Sequence, residues 1–365
     1  MTYEIASERL ILWIPYTDPR KVLWYGSTPD IAECEEKLDV DDVRYTSGLT
    51  AFLRRYFDVH TTSPVFVLNG NQTPKFDGAP GRGNVRYDAT RLQPAMDAAR
   101  VIKTEFEVAL IRRANAVSSA AHRAVMERLR RLTNEREIEA VFKGVCIARG
   151  AKHQSYPVIA GSGINASTLH YEDNDQPLEG RQLVVLDAGC EWRCYASDVT
   201  RTLPLGRGKG MPTPEAAAIY ALVERMQEEC IARVRPGIPF RSLHLHACAV
   251  AVAGLLRLGI LRGAPAEAIL ARGTVAAFFP HGLGHHVGLE VHDVTGDERL
   301  LMRGAAATGF ACRGVGGSGV VGKREWVSPE MVVAMCRDAA TVRTTSDDVA
   351  QRLAKNMIVT IEPGM

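Results

Sequence analysis

The chain of 365 residues is 46% hydrophobic and 24% charged, a balance that fits a folded globular protein and excludes disordered, collagen-like and coiled-coil readings. Its 44 Lys and Arg against 42 Asp and Glu leave a formal charge of +2, so the overall balance points neither to nucleic acid nor to an anionic membrane. At about 100 to 200 residues per domain, the length suggests two domains.

The opening Met1-Thr-Tyr-Glu-Ile-Ala-Ser-Glu-Arg has no signal-peptide core, and the longest apolar stretch, Ala247 to Leu256, is too short to span a bilayer. A cytoplasmic location is therefore expected. Short apolar runs at Arg9 to Ile14, Lys21 to Trp24 and Ser63 to Leu68, with helical text between them, read as a small α/β unit. Residues 69–84 turn rich in Gly, Pro and Asn, and the domain boundary is placed near residue 98, giving domains 1–97 and 98–365. Thr104-Glu-Phe-Glu107 has capping-box spacing and opens a helix to about Leu132. Asn134 caps a second helix that stops near Gly150, and Thr213-Pro214 opens a third. A fourth helix, Ser242 to Leu258, is apolar over most of its circumference and reads as buried. Strands are expected at Leu183 to Leu186, Tyr195 to Leu203 and Met357 to Ile361. The eight cysteines are thinly spread and read as reduced core residues. Cys190 and Cys194 lack the second pair that a zinc finger needs. Gly317 to Lys323 has the spacing of a phosphate loop, but Arg324 stands where the Mg²⁺-binding hydroxyl belongs, so Gly304 to Gly322 reads as a mobile loop.

Three stretches carry candidate chemistry. A symmetric hairpin centred on Trp192 and Arg193 would set Asp187 directly opposite Asp198, with Cβ atoms about 5 Å apart. Two carboxylates so placed repel unless a cation lies between them or one is protonated; a solvated hairpin with two acids near its turn is the plainer alternative. His281, His285, His286 and His292 put four of the ten histidines within a Gly-rich stretch that is not the HExxH zinc helix, and whose glycines allow close approach to a ligand. The apolar run Met357 to Ile361 ends in Glu362-Pro-Gly, either a turn former or an oxygen ligand. Carboxylates with one imidazole suit Mn, Co or Zn better than thiolate-loving metals.

In order, Thr168-Leu-His170-Tyr, Asp187 and Asp198, His281-Gly-Leu-Gly-His285, Val291-His292-Asp293 and Ile361-Glu-Pro-Gly364 resemble the motifs of the pita-bread metallopeptidases, the family of methionine aminopeptidase, prolidase and aminopeptidase P. The resemblance covers roughly residues 98 to 365. It is closest to fungal Xaa-Pro aminopeptidases, through Ala151-Lys-His-Gln-Ser-Tyr-Pro-Val-Ile-Ala-Gly-Ser-Gly and Ala276-Ala-Phe-Phe-Pro-His. It implies an α+β pita-bread catalytic domain after a partial α/β N-terminal domain. It also implies two divalent ions, usually manganese, held by Asp187, Asp198, His285 and Glu362, with Asp198 bridging. Glu362 would handle the proton of the bridging water, His281 and His292 would contact substrate or the developing oxyanion, and His170 would line the site beside the proline. His286 would be a neighbour of the ligands. The implied substrates are peptides with a penultimate proline, with a homodimer left open and no nucleic acid or membrane partner. Prolidase action on dipeptides and a binding protein with impaired catalysis are the alternatives.

The family has a further bridging glutamate beyond the Glu-Pro-Gly turn, and the chain ends at Met365 before it. The first domain also looks short, so a chain truncated at both ends is the expectation. On that reading one site keeps Asp198, His285 and Glu362. The other, left with the two aspartates, binds poorly and activity is low.

Overall fold

The computed structural model describes residues 1–60, 62–72, 87–206, 210–294, 300–301, 327–341 and 351–365, which fall into two compact units, Met1–Gln93 and Pro94–Met365. The phosphate-loop-like segment, Cys312 and most of the expected linker lie outside them. Among the described residues no helix is long and apolar enough to cross a membrane.

In the first unit, β1 (Thr2–Glu4) pairs antiparallel with β2 (Arg9–Ile14), which pairs in parallel with β3 (Asp42–Tyr45). A parallel pair needs a crossover. The chain supplies it with α1 (Pro19–Tyr25) and α2 (Ile31–Lys37), the latter opened by a capping box between Asp30 and Glu33. The run Lys21 to Trp24, read from sequence as strand-like, lies in α1. The side chain of Asp18 accepts from Arg20 N–H and Pro19 occupies the first turn, a local start signal that outweighs the short apolar pattern. The helix α3 (Leu49–Val59) and the short parallel pair β4 (Val65–Phe66) and β5 (Tyr87–Asp88) follow.

The second unit holds α4 from Pro94 onward (the helix runs Leu92–Val101), α5 (Glu105–Arg128) and α6 (Glu135–Ala148). Both expected capping boxes form, Thr104 with Glu107 and Asn134 with Glu137. The helices α5 and α6 pack on a sheet ordered β10 (Thr200–Pro204), β8 (Leu183–Asp187), β7 (Ile159–Ser162), antiparallel throughout. Val117, Ala121, Ile138, Phe142, Val184 and Leu186 form this core. A short ribbon of β6 (His153–Gln154) and β9 (Cys190–Glu191) flanks it.

A second core gathers α7 (Pro214–Ile231), α8 (Phe240–Arg257), α9 (Ala266–Ala271) and α10 (Pro329–Thr341) around Met226, Phe240, Leu243, Leu255, Phe279 and Leu283. No side chain caps α8. A missing cap costs about 1 kcal/mol, whereas each buried Phe, Leu or Val contributes about 1.5–3 kcal/mol, so burial of Phe240, Leu243, Val250, Val252 and Leu255 decides that this helix forms. A third, small cluster of Ala196, Val287 and Val291, with Tyr156 and Ile358 against it, collects side chains from the sheet's hairpin and from the segments that follow α9.

The hairpin after β8 corrects the expected register. Asp187 faces Thr200, and Trp192 bridges Tyr195, so the turn centres on Arg193 and Cys194. Both take the left-handed backbone, φ 49° and 70°, as a two-residue turn matched to strand twist requires. Moving the centre by one residue moves every pairing by two, which leaves Asp187 and Asp198 on one face although no longer opposite. Asp198 faces Gly189 instead, and the arms come so close that a Cβ on Gly189 would lie 1.9 Å from the Ser197 carbonyl oxygen. The regular returning strand begins at Thr200, not Tyr195, although Ser197 N–H to Cys190 O and Ala188 N–H to Val199 O carry the pairing toward the turn, and the outward-facing Ala196 N–H donates to the carbonyl of Gly288. Met357 to Ile361 likewise pairs with residues 283–287 through Val287 N–H to Ile358 O, Thr360 N–H to His285 O and Glu362 N–H to Leu283 O, and joins no larger sheet among the described residues.

Candidate metal centre

Four acidic or imidazole side chains converge from four stretches of chain. Asp187 ends β8, Asp198 lies on the returning arm of its hairpin, and His285 and Glu362 come from the two paired segments of the other core. His285 Nε2 lies 3.2 Å from Asp198 Oδ2 and 3.0 Å from Glu362 Oε1. One ligand atom from each of these three residues lies within 4.8 Å of the others. Asp187 joins through Tyr156, whose phenolic oxygen is 2.5 Å from Asp187 Oδ1 and 3.0 Å from Asp198 Oδ1.

The backbone fixes how each group points. His285 Nδ1–H donates to the His286 carbonyl at 3.0 Å, which leaves Nε2 facing the carboxylates, the arrangement a ligating imidazole needs. Glu362 Oε1 accepts from Thr360 Oγ1 at 2.7 Å, and the same hydroxyl accepts from His285 N–H at 2.9 Å, so one threonine aligns both ligands. Gly284 permits this: a Cβ there would lie 2.1 Å from the Thr360 carbonyl oxygen.

The electrostatics describe a centre rich in carboxylate charge. Burial, with the Asp198 charge added, pushes Asp187 up to about 7. Burial opposes a charged His285, but hydrogen bonds to Asp198 and Glu362 overcome it and raise the imidazole to about 10. Burial also holds the Tyr156 phenol well above its ordinary value, with both aspartates adding to the effect, so it stays a donor. Each shift keeps a proton where a cation would relieve the same repulsion. Three carboxylates and one imidazole on fixed backbone are oxygen-rich, borderline-hard donors, which fits a divalent ion of the Mn, Co or Zn kind.

The other sequence candidates divide. The rings of His292 and His285 lie 4.0 Å apart, so His292 borders the donor group. His281 packs edge-on against Phe279, donates from Nδ1 to the Gly282 carbonyl at 2.8 Å, and presents Nε2 toward Gly364 beside the Glu362 turn. His286 turns inward to Gln351 Oε1 at 2.6 Å, and burial lowers it to about 4. His170 is exposed on the turn after the 3₁₀ stretch Gly163–Ser167 and does not enter the donor group. Cys190 is buried against Ser118 while Cys194 is exposed at the hairpin tip. Tyr156 and Thr360 were not singled out from sequence; the Ser-Tyr-Pro run and the alternation leading into Glu362 are the signals that mark them.

The family model for Metallopeptidase family M24 matches residues 109–365. The chain belongs to that family. Residues 1–66 match the model described as the aminopeptidase P N-terminal domain. The chain is 56% identical to a probable Xaa-Pro aminopeptidase of Colletotrichum graminicola, over 100% of this chain and 68% of the relative. It is 53% identical to one from Metarhizium acridum, over 100% of this chain and 69% of that one. The low-pH form of aminopeptidase P from E. coli superposes with a TM-score of 0.72 at 27% identity, over 97% of this chain and 70% of that chain. As an M24 metallopeptidase the chain carries the α+β pita-bread fold preceded by an N-terminal domain, and it is a metal-dependent exopeptidase by family.

Proposed function

We propose that this chain is an Xaa-Pro aminopeptidase, hydrolysing the bond between an N-terminal residue and a penultimate proline in the cytoplasm, with manganese as its metal. The observation that carries the reading is the meeting of Asp198, His285 and Glu362, with Asp187 tied in through Tyr156, in an M24 chain similar throughout its length to probable Xaa-Pro aminopeptidases. Asp187, Asp198, His285 and Glu362 would hold the divalent ions. Bound there, the ions would supply Lewis-acid polarisation of the scissile carbonyl and a water acidic enough to attack near neutral pH.

The chain's own groups supply the rest. Glu362, oriented by Thr360, would take a proton from the attacking water and pass it to the leaving proline nitrogen. His292, packed on His285, would offer an imidazole N–H to a developing oxyanion, and His281, whose Nδ1–H is taken by the Gly282 carbonyl, would contact the substrate through Nε2. His170 is assigned to the substrate's proline side. Tyr156 holds both aspartates in position by one phenol.

The test compares Xaa-Pro-Yaa tripeptides, Xaa-Pro dipeptides and peptides without proline, with added Mn²⁺. Cleavage of the tripeptides supports the reading. Cleavage of dipeptides alone would replace it with a prolidase, and removal of ordinary N-terminal residues without regard to proline would reject it.

A further inference from the structure

Beside the donor group lies a buried charge cluster that the proposed mechanism leaves unused. Asp293 follows His292 directly and is 2% exposed. Lys103 Nζ donates to its Oδ2 at 2.8 Å, both side chains being 1% exposed, and Arg100 donates to its Oδ1 at 2.8 Å. Burial works against the Asp293 charge, but the Lys103 ammonium and then the Arg100 guanidinium hold its carboxyl below the ordinary range, so it is an anion. Burying three charges is a poor route to stability, since well-packed apolar residues often do as well. That cost asks for another reason.

The loop between His286 and Asp293 supplies one. Asp293 N–H donates to the His286 carbonyl at 3.1 Å and closes the loop on itself. Inside it, Glu290 N–H reaches Asp293 Oδ1 at 3.3 Å and Gly288 N–H reaches the Glu290 carbonyl at 3.0 Å. The carboxylate fills the loop so closely that a Cβ on Gly288 would lie 2.4 Å from Asp293 Oδ2. Outside it, Gly288 O accepts from Ala196 N–H of the aspartate hairpin at 2.8 Å, and Lys103 N–H donates to the Asn356 carbonyl at 2.9 Å, just before the segment that ends in Glu362. Both ends of this loop border the centre: His285 precedes it, and His292 is its last residue but one, with its ring against that of His285.

We propose that Asp293, gripped by Lys103 and Arg100, is a positioning residue that sets the loop from His286 to Asp293 so that the His292 imidazole stands against His285 at the edge of the donor group. The inference deepens the peptidase reading and rests on it for its kinetic consequence, while its structural half stands apart. Lys103 and Arg100 act on the loop through Asp293, and Asp293 acts on the reaction through His292.

The test is a double-mutant cycle read in two ways. Lys103→Met is combined with His292→Ala, and kcat and KM for an Xaa-Pro-Yaa tripeptide are measured with saturating Mn²⁺. Misplacing a reacting group costs about 10- to 100-fold, so Lys103→Met should lower kcat by that factor with KM little changed, and should cost almost nothing further once His292 is alanine. The second readout needs neither metal nor turnover. In metal-free protein, the His292 ring resonance, assigned by its loss in His292→Ala, should shift in Lys103→Met while that of His281 holds. Arg100→Gln, which removes one grip and leaves the buried pair, serves if Lys103→Met does not fold, and should show the same pattern at smaller size. An unmoved His292 resonance, or equal losses of kcat in both backgrounds, would overturn the proposal. A wild-type chain that cleaves no proline peptide would overturn the peptidase reading instead, and the ring resonance would still decide the positioning.

Discussion

Glu135 is the first helical residue of α6 and is fully buried, and a whole stretch of chain folds around its carboxylate. Oε1 accepts from Ser162 N–H at 2.7 Å, Ser162 Oγ at 2.6 Å and Asn165 Nδ2 at 3.1 Å, while Oε2 accepts from Tyr171 OH at 2.7 Å and Gln176 N–H at 3.1 Å. Glu135→Gln keeps one oxygen. Placed on the Ser162 side, it retains three of these contacts and turns an amide N–H₂ toward Tyr171 and Gln176. The tyrosine hydroxyl can reverse and accept, but the Gln176 N–H then faces another donor. Losing one charge-assisted bond and stranding one part-buried N–H costs about 1.5–3 and 1–3 kcal/mol respectively, so about 4 kcal/mol is expected. Urea unfolding, with amide hydrogen exchange followed over α6 and residues 159–176, measures it. A loss below about 1 kcal/mol, the size of an ordinary surface change, would refute the reasoning.

The same substitution carries a pH signature. Burial opposes the Glu135 charge, yet the hydrogen bonds from Ser162 and Tyr171 and those from the Ser162 and Gln176 backbone outweigh it, so its folded pKa lies below the ordinary glutamate value. A depressed carboxylate contributes stability that is complete above its unfolded value of about 4.3 and is lost as pH falls through the lower folded value. The advantage of the wild-type chain over Glu135→Gln should therefore be flat through neutral pH and shrink only below about pH 4.3. A difference that instead changed between pH 6 and 8 would assign the effect to another group.

Further outcomes follow from the centre. Gly284→Ala forces a Cβ into the Thr360 carbonyl and should spread the His285 and Glu362 segments, costing about 1–3 kcal/mol and weakening Mn²⁺ uptake by calorimetry; unchanged uptake would mean that the pairing does not set ligand spacing. Tyr156→Phe removes the shared donor of Asp187 and Asp198 and should cost about 10- to 100-fold in Mn²⁺ affinity or turnover, with the melting temperature as a control for folding. Asp198→Asn should abolish tight Mn²⁺ binding, because it removes the charge that contacts both His285 and Tyr156, and a variant that still titrates tightly would exclude Asp198 as a ligand.

What the sequence disclosed and what it hid divide along range. Thr104 with Glu107, Asn134 with Glu137, and Thr213 before Pro214 act on the backbone within one turn, so their residue types alone announce the helix starts that form. The family resemblance marked Asp187, Asp198, His285 and Glu362 as a set, and three of them meet directly. The hairpin register was not legible, because Arg193 and Cys194 take positive φ without the Asn or Gly that normally signals such a turn. Nor was the pairing of Lys103 with Asp293, which joins residues 190 apart in sequence and is specified only by the fold that encloses them. Tyr156 belongs between these cases: its motif was visible, but its reach to two aspartates depends on the pairing of β7 with β8.

The geometry also explains why a fold would tolerate such concentrated charge. Asp187 and Asp198 belong to the sheet that packs on α5 and α6 and to its hairpin, whereas His285 and Glu362 belong to segments packed on the core of α7 to α10. The small cluster of Ala196, Val287 and Val291 lies at the seam, and the Ala196-to-Gly288 hydrogen bond crosses it. The His285 imidazole lies between Asp198 on one side and Glu362 on the other, so it ties the two halves together. A divalent ion held by the same atoms would do so with a double positive charge. Because an unfolded chain cannot present the four ligands together, binding would stabilise the folded unit by about 2.7 kcal/mol at a free ion concentration one hundred times the dissociation constant. The mutual repulsion of the carboxylates is thus the same interaction that would make cation binding a contribution to holding the two cores in register.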